Sequence, residues 1–72
     1  MSSIAVIRRN AGFEAMRRGG FTKNDVMTAL LRAGTTPEIV EEAAQNLMDE
    51  AQSNGEIRPF ANSDTKWNRI SG

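Results

Sequence analysis

Apolar positions recur along this chain with helical period in three stretches, and with strand-like period in two short runs near its end. In the first stretch Ile4, Ile7, Ala11 and Ala15 fall near one stripe while Arg8, Arg9, Arg17 and Arg18 cluster outside it. That spacing predicts a helix over Ile4 to Arg18. Gly12 weakens it by about 1 kcal/mol relative to Ala and leaves its continuity open at that point. Gly19-Gly20 ends it.

The next segment, Phe21-Thr22-Lys23-Asn24-Asp25-Val26, carries the sharpest local signal. Thr22 is an N-cap, Asp25 completes a capping box, and Phe21 before the cap is placed to staple onto Val26. Val26, Leu30 and Ala33 continue a buried stripe, widened by Met27 and Leu31. Gly34 suits the left-handed residue that closes a helix. A third helix restarts at once: Thr36 caps, Pro37 takes the first turn, and Glu38 favours the positive end of the dipole. Val40, Ala43, Ala44, Leu47, Met48 and Ala51 make one apolar face through about four turns, and Asn54-Gly55 closes it. Two helices joined by Gly34-Thr35-Thr36 form a helix-turn-helix hairpin.

Glu56-Ile57-Arg58-Pro59-Phe60 and Lys66-Trp67-Asn68-Arg69-Ile70 read as the strands of a β-hairpin around the turn-rich Ala61-Asn62-Ser63-Asp64-Thr65. Pro59 cannot donate a ladder hydrogen bond, so its strand belongs at an edge or a bulge. Trp67 and Phe60 are expected in the core under the hairpin, with Met16, Met27 and Met48 as filler. The expected fold is mainly α: three helices, then a C-terminal β-hairpin, in one winged-helix-like domain over residues 1–72.

A chain of 72 residues is near the lower limit for a self-sufficient core, burying about 60% of its unfolded surface. Cys and His are both absent, which removes disulfides, thiolate metal sites, the commonest catalytic bases and the usual zinc ligands. The glycines match neither a Walker loop nor a dinucleotide fingerprint. Asn62-Ser63-Asp64 has the start of a calcium loop, but Lys66 stands at the next ligand place. No catalytic residue, cofactor, metal or small-molecule substrate is therefore expected. No apolar run is long enough for a signal or membrane segment, so the expected location is cytoplasmic.

Charge changes the picture most. The net formal charge is zero, yet residues 1–32 carry plus four, residues 33–57 minus six and residues 58–72 plus two. Between Arg32 and Arg58 stand six carboxylates and no base. The helix in the recognition position of the helix-turn-helix is thus acidic and would be repelled by phosphate. A merely solvated helix usually interleaves signs to gain i,i+4 pairs, and this one cannot. Glu38, Glu41, Glu42, Gln45 and Asp49 are the candidate protein-binding face. Arg8, Arg9, Arg17, Arg18, Arg58, Lys66 and Arg69 are a basic set able to meet protein or nucleic acid. The rival expectation is a DNA reader that uses the Arg-rich first helix and the wing.

Phe21-Thr22, Gly34-Thr35-Thr36-Pro37-Glu38 and Asn54-Gly55-Glu56-Ile57-Arg58 resemble the winged helix-turn-helix superfamily over most of the chain. The opening Met1-Ser2-Ser3-Ile4-Ala5-Val6-Ile7-Arg8-Arg9, in a small chain without Cys or His, is similar to the small phage-encoded proteins, known from a Xanthomonas phage, that bind host bacterial RNA polymerase. That resemblance implies a non-enzymatic regulator in the host cytoplasm, inhibiting initiation and promoting terminator readthrough. Its implied partners are polymerase subunits, with nascent RNA or DNA nearby. It assigns no residue roles.

Overall fold

A computed structural model describes residues 4–59 and 66–69; of residue 69 it describes the backbone alone. The element order is α1 (Ile4–Ala15), β1 (Phe21–Thr22), α2 (Lys23–Arg32), α3 (Pro37–Ser53), β2 (Ile57–Pro59) and β3 (Lys66–Arg69). The strands form a three-stranded antiparallel sheet in the order β1-β3-β2, with Phe21 opposite Trp67 and Pro59 also opposite Trp67. The three helices and the hairpin after the third are as the sequence predicts; β1, a two-residue strand between the first two helices, adds a third strand to that hairpin. Pro59 lies in an edge strand, where its missing N–H is harmless. Phe60, Ile70 and the 61–65 turn fall outside the described residues.

The sequence signals act at the helix ends. Thr22 Oγ1 accepts from the Asp25 N–H at 3.2 Å, and Asp25 Oδ2 accepts from the Thr22 N–H at 2.9 Å, a complete capping box. At the other end of α2, Gly34 has φ +103°, so the Thr35 N–H reaches Leu30 O at 2.9 Å and the Gly34 N–H reaches Leu31 O at 3.1 Å. This is a Schellman closure. α3 ends the same way: Gly55 has φ +74°, and the Glu56 N–H donates to Ala51 O at 2.8 Å. Thr36 differs from expectation. It holds the N-cap backbone position, but its side chain caps nothing; its carbonyl accepts from Ile39 N–H instead.

One core lies beneath all three helices and the sheet, built on Met16, Phe21, Val26, Leu30, Val40, Ala44, Met48, Ala51 and Ile57. Trp67, Phe13, Met27 and Leu47 pack against it. Three expectations about α1 need correction. The helix stops at Ala15, because Met16 turns into the core and the chain must reach β1 through Gly20 at φ +70°. Arg17 and Arg18 therefore lie in the turn after α1. The expected inner stripe holds only at its far end: Ala15 packs against the core, but Ile4 is 62% and Ile7 51% exposed, and the buried positions are Gly12 and Met16. Leu31 on α2 is likewise exposed.

Gly12 does not interrupt α1. It is buried, and a Cβ there would collide with Leu47 Cδ1 and lie 3.3 Å from Leu30 Cδ2. The missing side chain is what lets α1 settle onto α2 and α3. Replacing it with a branched residue, Gly12→Val, should lower unfolding free energy by about 1–3 kcal/mol through overpacking. Gly34→Ala should cost about 1–2 kcal/mol through its positive φ. Urea unfolding measures both, and a neutral Gly12→Val would contradict the close approach.

Candidate protein-docking face

The apolar period of α3 determines which side chains face out. Val40, Ala44, Met48 and Ala51 are buried, and the face turned away from them exposes Glu38, Glu41, Glu42, Gln45 and Asp49. The structure brings all five candidate acidic-face residues onto one side of one helix. Gln45 Nε2 donates to Asp49 Oδ1 at 2.8 Å, an i,i+4 contact that holds the outer half of this face in one geometry. A shallow depression of about 400 Å³ runs past Glu38, Glu41, Glu42 and Gln45.

α3 has no cation of its own, so its neighbours supply them. Lys23, in the first turn of α2, places Nζ 3.6 Å from Glu41 Oε1, whose side chain remains 76% exposed. Arg9 of α1 forms an ion pair with Glu50, on the flank of α3 turned towards α1, and its guanidinium carbon sits 5.0 Å from the Phe13 ring centroid. No sequence pattern announced either pair, because each joins different helices. Among the described residues, Glu38, Glu42 and Asp49 have no ion pair.

The seven bases of the candidate basic set do not share one role. Arg8 and Arg9 turn towards the body of the domain: Arg9 to Glu50, and Arg8 against Gly34, its Nε buried. Arg17 and Arg18 are exposed in the turn after α1, Arg58 is exposed on β2 and Lys66 on β3. The side chain of Arg69 lies outside the described residues. Four arginines on one helix surface, as the sequence suggested, are thus two packed against the body and two in a turn.

No group of three or more Asp, Glu, His or Cys among the described residues is placed to hold a metal ion, and no helix among them is long and apolar enough to cross a membrane. Compared with protein-family models, with curated proteins and with solved structures, the chain finds no match.

Exposed ion pairs contribute little: a double-mutant cycle on Arg9→Gln and Glu50→Gln should give coupling below about 1 kcal/mol, fading as salt rises. Strong, salt-independent coupling would mean that the pair is far better shielded than its half-exposed side chains indicate.

Proposed function

We propose that this chain is a non-enzymatic transcription regulator that docks on bacterial RNA polymerase, inhibiting initiation and promoting terminator readthrough. The observation that carries the docking half is the exposed face of α3, with four carboxylates and a glutamine on the helix that would otherwise enter a DNA groove. In the major groove those carboxylates would stand beside phosphates with Lys23 the one cation paired to them among the described residues. A carboxylate can accept from cytosine, but one or two do so inside a basic frame. Against a basic protein surface the same face is complementary.

Polymerase as partner, and the host cytoplasm as setting, rest on the resemblance of the chain to phage-encoded polymerase-binding proteins. A regulator of this kind needs no active site or cofactor. Arg17 and Arg18, exposed beyond α1, are the residues best placed to face nascent RNA or DNA while α3 holds the protein. They also carry the second reading, a DNA-binding regulator touching phosphate through that turn and the wing bases Arg58 and Lys66.

Affinity capture with the tagged full chain tests the choice. Polymerase subunits should be recovered from a susceptible bacterial lysate. The triple variant Glu41→Lys, Glu42→Lys, Asp49→Lys should lose most of them at nearly unchanged thermal stability, since all three residues are exposed. Undiminished capture by that variant would remove α3 from the contact. Failure to recover polymerase, together with tight salt-sensitive duplex binding, would favour the DNA reader. Arg17→Glu with Arg18→Glu separates the readings further: it should abolish DNA binding in the second and leave polymerase capture largely intact in the first.

A further inference from the structure

A second surface lies on the other flank of α3. A groove of about 400 Å³ separates α1 from α3, lined by the apolar side chains of Ala5, Leu30, Ala43 and Leu47 together with the polar Asn46. Ala5, in the exposed first turn of α1, lines it on one side. Ile39, one turn before Ala43 on the same face of α3, is 50% exposed and extends the apolar surface.

The charge at the rim is single and positive. Arg9 and Glu50 line the groove as well, but they neutralise each other. Arg8 is left, and its Nε is buried against Gly34 with no hydrogen-bond partner among the described residues. Buried polar donors nearly always have an acceptor, and the planar fork of a guanidinium matches a carboxylate best.

We infer that this groove binds an apolar, carboxylate-bearing peptide segment of a protein partner. A Leu- or Ile-type side chain enters between α1 and α3, and the carboxylate pairs with Arg8 as that side chain turns towards the groove. The apolar lining disfavours a nucleic-acid phosphate at the same place. This site is separate from the acidic face of α3 and does not depend on the polymerase reading, since its test needs only the isolated chain.

The probe is acetyl-leucyl-leucine with a free carboxylate, titrated into the isotope-labelled full chain and followed by NMR. The Leu30 and Leu47 methyls and the Arg8 Nε–H should shift. The C-terminal amide of the same dipeptide, which lacks the charge, should bind about tenfold more weakly, the loss expected of one charge-assisted hydrogen bond. Arg8→Gln should weaken the acid to a similar degree. Ala5→Trp, at an exposed position where folding is not at stake, should close the groove to both dipeptides. Equal binding of acid and amide, unchanged affinity in Ala5→Trp, or no shift of the two leucines would overturn the inference. So would inorganic phosphate moving Arg8 as strongly as the dipeptide, which would make the site a plain anion site.

Discussion

The arrangement depends on one missing side chain. Gly12 lets α1 approach until Leu47 Cδ1 occupies the space where a Cβ would stand and Leu30 Cδ2 lies in tight contact with it. Other contacts of α1 accompany that approach. Met16, one turn further on, reaches the core; Arg9 comes within reach of Glu50; Arg8 comes to lie against the left-handed turn at Gly34. A glycine in a helix interior costs about 1 kcal/mol in propensity, and here packing offsets that local loss.

Charge is organised around the same frame. A helix with six carboxylates in and just beyond it and no base would repel itself if left alone. Lys23 and Arg9 approach it from different helices, one at each side, so neutralisation is partial and the outer face stays negative. The outer face of α3 therefore presents negative charge on a helix whose turns and caps are set by local sequence signals. Fold alone assigns neither partner; the sign of the exposed face separates the proposed readings.

What the sequence made legible was mostly local. The capping box at Thr22 and Asp25, the glycine closures at Gly34 and Gly55 and the apolar face of α3 depend on neighbours within a few residues, and the structure has them where the pattern put them. Features set by distant partners were not legible. β1 is two residues long and exists because Phe21 and Thr22 pair with Trp67 and Lys66 across the chain. Ile4 and Ile7 matched a helical stripe, but position in the fold, not period, left the first turn of α1 uncovered. The side-chain cap expected from Thr36 failed although its backbone fits. Of the site, the acidic face could be read from helical spacing, whereas the pairing of Arg9, the burial of Arg8 Nε and the reach of Lys23 to Glu41 required the packed helices.

The central claim is that the exposed carboxylates of α3 meet protein and not nucleic acid. The most direct measurement is residue-resolved NMR of the labelled chain with purified bacterial RNA polymerase and, separately, with duplex DNA. The account predicts that polymerase selectively broadens Glu38, Glu41, Glu42, Gln45 and Asp49, and that duplex leaves these five unchanged at every salt concentration. Selective broadening of the same residues by duplex, with none by polymerase, would contradict it.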